Sequence, residues 1–123
     1  MEKIDNEYYV SFEVAKLLKE AGFDWNCKGK FYDFTNHCEI YKKPTLDVAQ
    51  RWLREVKGFE NFVGFTKHDF GNGNEKAYFY DCYEIPENED AFEHFDDIYY
   101  HSYEEAQEAG IKKALEVILE KGE

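Results

Sequence analysis

The sequence predicts an α+β fold: a two-layer sandwich formed by one domain, residues 1–123, with an antiparallel sheet and the element order α-β-β-α-β-β-β-α. Three observations lead there. Three segments repeat apolar residues at the i, i+3, i+4, i+7 spacing of a helix with one buried stripe. Between them lie β-prone runs joined by short turn-forming links, and strands linked in that way pair antiparallel. The length of 123 residues, at 43% hydrophobic content, suits one core, and no repeat or low-complexity linker divides the chain.

The first helix is carried by Val14, Leu17, Leu18 and Ala21. Ser11 stands where an N-cap hydroxyl would take an orphan N–H, and Gly22 where a left-handed C′ residue is needed. A short hairpin follows, Lys30 to Phe34 and Cys38 to Tyr41 around the turn-prone Thr35-Asn36-His37. The second helix carries Ala49, Trp52, Leu53 and Val56 between Pro44-Thr45 and Lys57-Gly58. Strands are expected at Phe59 to Thr66 and Ala77 to Ile85, linked by Gly71-Asn72-Gly73-Asn74, and a third at Phe95 to His101 with Ile98 and Tyr100 on one face. The last helix, about 103 to 121, buries Ile111, Ala114, Leu115 and Ile118. Ser102-Tyr103-Glu104-Glu105 in front of it has the form of a capping box.

Charge is distributed unevenly. Lys and Arg number 15 against 27 Asp and Glu, a net charge of −12. After Lys76 no base occurs until Lys112, while eleven acids fall between, so residues 77 to 111 carry −11. The rest holds 16 acids against 15 bases. Such a stretch repels phosphate backbones and attracts basic partners, with steering that fades as salt rises. Direct nucleic-acid binding is therefore not expected, and a host or phage protein with a basic surface is. The stretch is also rich in tyrosine, within a chain that is 19% aromatic. Tyr gives large contact area at low entropy cost and carboxylates select basic groups. Tyr80, Asp81, Tyr83, Glu84, Asp96, Asp97, Tyr99, Tyr100, Tyr103 and Glu104 are thus the expected partner-binding residues.

No catalytic set stands out, and the chain is expected to be non-enzymatic and without a cofactor. Zinc needs about four converging N or S ligands, and Cys27, His37, Cys38 and Cys82 supply no C-x-x-C pair. His94 and His101 lie among carboxylates, where a small metal-dependent hydrolase would place an acid/base pair, but a surface setting is the expectation for both. A nucleic-acid mimic, with carboxylates standing for phosphates and a nuclease, restriction or regulatory protein as target, is the sharper form of the binding reading. The odd cysteine count and an acidic N-terminus with no apolar region point to the cytoplasm, away from a membrane. The free edges of a three-stranded sheet would permit a homodimer.

Two stretches, Lys43 to Val56 and Ser102 to Leu115, together with Tyr9-Val10-Ser11 entering Ala15-Lys16-Leu17-Leu18, resemble a family of small uncharacterised proteins of gut Bacteroidales, their prophages and phages. That resemblance implies a phage or mobile-element accessory protein and transfers no functional residue. From about residue 45, the α-β-β-β-α order is similar to that of a double-stranded RNA-binding domain. In that domain the last helix opens on lysines that meet phosphates; here Tyr103, Glu104 and Glu105 occupy the corresponding positions, so the resemblance implies topology and not RNA binding.

Overall fold

The computed structural model describes residues 8–86 and 90–121; Glu87 and Glu89 of the acidic stretch and both chain ends lie outside it. The elements are α1 (Phe12–Ala21), β1 (Lys30–Asp33), β2 (Cys38–Lys42), α2 (Leu46–Trp52), β3 (Phe59–Asp69), β4 (Asn74–Glu84), β5 (Phe92–His94) and α3 (Tyr103–Glu120). This is the expected α+β order. The strands divide into two antiparallel sheets, the hairpin β1-β2 and the meander β3-β4-β5.

Helix starts follow the local chemistry. The hydroxyls of Ser11, Thr45 and Ser102 accept the N–H of Val14, Val48 and Glu105. Gly22 closes α1 at φ 100°, where a Cβ would be strained. The capping box at α3 is displaced by one residue: Glu105 Oε1 accepts the N–H of His101, at 3.1 Å, and not that of Ser102. After Trp52 the second helix widens into a π-helical turn, Leu53–Lys57. Hydrogen bonding to the fifth residue lowers the angular step, so the i+4 position leaves the buried stripe. Val56, expected in the core, is accordingly 51% exposed, while Ala49, Trp52 and Leu53 are buried.

α3 is the centre of the core. It lies over β3 and β4, and α1 and α2 pack against it in turn. Ile111 and Leu115 are fully buried together with Val14, Leu18, Trp52 and Cys82. Each aliphatic side chain so buried contributes about 1.5–3 kcal/mol. Strand parity then sorts the meander. Phe59 and Asn61 of β3, with Tyr80 and Cys82 of β4, face the helices and are buried. Phe62 of β3, with Asp81 and Tyr83 of β4, faces the other way, where no helix lies.

The third strand is not where the sequence places it. β5 occupies Phe92–His94, and of the expected Phe95–His101 strand only Tyr100 pairs, bridging Tyr78 with both main-chain bonds, at 2.8 and 2.9 Å. Cys82 faces His94, so an unbroken ladder would bring residue 98 opposite Tyr78. Residue 100 stands there. Two extra residues are therefore extruded, a bulge over 95–99 that Asp96 pins by accepting the N–H of Ile98 at 3.0 Å.

Candidate interaction surface

The bulge builds an acidic concavity. Asp96, Asp97, Phe95, Ile98 and Tyr99 from the bulge meet Phe79 and Asp81 of β4 and Thr66 of β3 around a cavity of about 230 Å³. Tyr80 also lines it. Three carboxylates thus ring a space whose walls are largely aromatic, and among the described residues no basic side chain pairs with Asp81, Asp96 or Asp97.

Asp96 is the organising group. Its Oδ2 accepts the hydroxyl of Tyr100 at 3.0 Å while Oδ1 holds the turn. Tyr80, 3% exposed, also reaches this carboxylate with its hydroxyl. Burial, reinforced by the nearby Asp96 charge, pushes both phenols well above the ordinary tyrosine range. They stay neutral donors to Asp96. Tyr99 leaves on the opposite side of the backbone and stacks on His68 at 4.4 Å, and two residues on His101 stacks on Phe70 at 4.0 Å. These aromatic pairs anchor the far end of the bulge to the β3-β4 turn.

The remaining expected residues separate. Tyr83 pairs across strands with Glu93 on the helix-free side, next to Asp81. A hydrogen bond to the Asp81 carboxyl, with some desolvation and the Asp81 charge, raises Glu93 above the usual carboxylate value. Glu84 is directed to the helix side. There it accepts Lys121 and sits 3.2 Å from His94 Nε2, and the Lys121 bond holds its carboxyl below the ordinary value. Tyr103 and Glu104, in the first turn of α3, line a separate hollow of about 490 Å³ with Tyr8, Asp47 and Gln107. Gln107 is buried and donates to Asp47 Oδ1 and Gln50 Oε1 at 2.9 and 2.8 Å.

The surface therefore keeps Asp81, Asp96, Asp97 and Tyr99 together, is supported from within by Tyr100 and by Tyr80, which is too buried to meet a partner, and leaves out Tyr83, Glu84, Tyr103 and Glu104. Phe79 and Phe95 were missing from the sequence reading. Phe79 shares its face with Asp81 by strand parity, a signal present in the sequence; Phe95 joins only because of the bulge. His94, expected at the surface, is half-buried, against Glu84 and with its ring 6.3 Å from Phe59. Among the described residues no three His, Cys, Asp or Glu side chains converge to hold a metal ion, so the hydrolase reading finds no ligand set there. Asp69 of β3 spends its carboxylate on the N–H groups of Gly71 and Gly73 in the turn. Cys27, Cys38 and Cys82 are free thiols, and burial pushes Cys82 up to about 12.

No helix among the described residues is long and apolar enough to cross a membrane. No family model matches the chain, and neither a curated protein nor a solved structure is significantly similar to it.

Proposed function

We propose that this chain is a non-enzymatic binding protein that takes a basic segment of a partner protein into the cavity of the β5 bulge, as an accessory protein of a phage or mobile element would engage a host protein. One observation carries this reading: Asp81, Asp96 and Asp97 stand around aromatic walls with no base of the described chain paired to them. Unpaired carboxylates at a partly desolvated aromatic surface favour an incoming Lys or Arg, through charge-assisted hydrogen bonds and cation–π contact with Phe79, Phe95 or Tyr99.

The test is a calorimetric titration of the purified protein with an Arg-rich peptide and with its neutral Gln-for-Arg counterpart. Binding of the first only, weakened by added salt, is expected. Asp97→Asn removes a pocket carboxylate without touching the Asp96 turn and should weaken binding by about tenfold, the scale of one charge-assisted contact. Glu39→Gln, on the hairpin, should leave it unchanged. Equal binding by Asp97→Asn and the native chain would end the assignment.

A further inference from the structure

β3 is an outer strand, and half of its backbone faces away from the sheet. Ile85 donates its N–H to Gly58 C=O at 2.8 Å, which sets the ladder phase: residues 60, 62, 64, 66 and 68 turn their main-chain groups toward β4, and the odd-numbered residues turn theirs outward. Asn61 agrees, since its carbonyl accepts Gln50 Nε2 from α2 at 2.9 Å. Beyond Asn61, no hydrogen bond among the described residues reaches the outward N–H and C=O groups of Val63, Phe65 and Lys67. Phe65 is 69% exposed on one side of this edge and Phe62 57% exposed on the other. A long apolar edge of this kind is a template for another strand.

The geometry points to a second copy of this chain as the occupant, with β3 of each copy pairing antiparallel about a two-fold axis at Thr66. Three observations select it. Gln50 closes the edge at Asn61, and the chain turns away at Gly71, so the usable segment is 63–69, and its midpoint is Thr66. In that register Val63 faces the partner's Asp69 and Phe65 faces the partner's Lys67, so every outward residue is paired and none is left over. The second observation is contact chemistry. Lys67 of each copy lies beside the partner's Phe65, the type of contact that Lys76 already makes with Phe65 at 5.0 Å within the chain.

The third is charge. Segment 63–69 carries one Lys and one Asp, so a copy of itself meets it as a neutral strand, whereas a basic strand would be set against Lys67 and Lys76. The bulge crosses β4 on the helix-free face and reaches β3, where Thr66 lines its cavity and His68 stacks on Tyr99, so a two-fold at Thr66 brings the two acidic cavities side by side along the seam. The dimer would present two acidic cavities, though it forms whether or not either is occupied.

The two-fold brings Thr66 opposite the partner's Thr66 as a non-hydrogen-bonded pair, with Cα atoms about 4.5 Å apart and within disulfide reach. In a Cys27→Ser/Cys38→Ser background, Thr66→Cys should therefore oxidise rapidly to a covalent dimer, while Thr35→Cys, on the exposed turn of the first hairpin, should not. Sedimentation of the native chain over a concentration series should show monomer passing to dimer as concentration rises. Phe65→Lys, folded by circular dichroism because the site is solvent-facing, should weaken dimerisation by about tenfold or more through repulsion from the partner's Lys67. Asp97→Asn should dimerise normally. A native chain that stays monomeric, a Thr66→Cys variant no faster to couple than Thr35→Cys, or a dimer that tolerates Phe65→Lys would each overturn the proposal.

Discussion

The two faces of the β3-β4-β5 meander are made by alternate residues of the same strands, yet they treat polar groups in opposite ways. On the helix-covered face polar side chains are drawn into the fold: Glu84 takes Lys121 and His94, and Asn61 Nδ2 donates to Gln107 C=O at 3.2 Å, while Asn61 Oδ1 is buried without a hydrogen-bond partner. On the helix-free face Asp81 and Glu93 are left against each other. A covered group without a partner costs desolvation free energy, so Glu84 and Asn61 Nδ2 are paired and Asn61 Oδ1 bears that cost; an open group is solvated and is free to be selected for recognition. The acidic stretch is thus solvated in its exposed parity and tied into the fold in its buried one.

The contrast breaks most visibly in stability. Leu115→Ala, at a fully buried position of α3, should lose about 2–5 kcal/mol by thermal or urea unfolding. Phe62→Ala, a larger truncation on the helix-free side, should stay within about 0.5 kcal/mol. Near-equal losses would show that something covers the open face in solution.

Gly110→Ala is the next effect in size. A Cβ at Gly110 would overlap Asn61 Oδ1, and Asn61 is buried and tied to Gln107, so it has little room to retreat. Overpacking of this kind costs about 1–3 kcal/mol, more than the roughly 1 kcal/mol that Ala gains over Gly in a helix. In an Asn61→Ala background the clash is gone and only the helix gain remains, so the sign should reverse. A thermodynamic cycle that came out additive would refute the contact.

How much of this was legible follows from the range of the interactions involved. Ser11, Gly22 and Ser102 were readable as caps because a cap is fixed by three or four neighbouring residues. The stripe of α3 was readable because a period needs no knowledge of what it packs on. Val56 and the third strand were not, and both failed for one reason: a π-helical turn and a two-residue bulge each insert residues that shift the period, and the insertion is decided by tertiary packing. The bulge also decided the candidate site. Composition marked residues 77 to 111, but whether Asp96 or Glu84 faces outward depends on parity, and Phe95 enters the cavity only because Tyr100 returns to Tyr78 two residues late. The pairing of Glu84 with Lys121, at the far end of α3, has no local signature.

The smallest expected effect is the one that compares the faces in a single measurement, the pH dependence of stability. Glu84 is depressed below the ordinary value of 4.5 by the Lys121 hydrogen bond, so its folded state binds fewer protons than the unfolded one. Its contribution is present above that value and is lost as pH falls through the folded pKa. Glu84→Gln should cost about 1 kcal/mol at neutral pH, typical of an ion pair at a surface, and the deficit should shrink toward acid. Glu93 runs the other way, because its value is raised above 4.5 by the Asp81 carboxyl. A group raised in the folded state favours folding below the unfolded pKa and loses that contribution as pH rises through the folded one. Glu93→Gln keeps a hydrogen-bonding group beside Asp81 without the second charge, so it should be more stable than the native chain at neutral pH and lose that advantage in acid. Urea midpoints of the two variants across the carboxylate range should therefore change with opposite slopes relative to the native chain. Parallel slopes would mean that Asp81 and Glu93 are drawn apart in solution and that the two faces do not differ in how they hold their carboxylates.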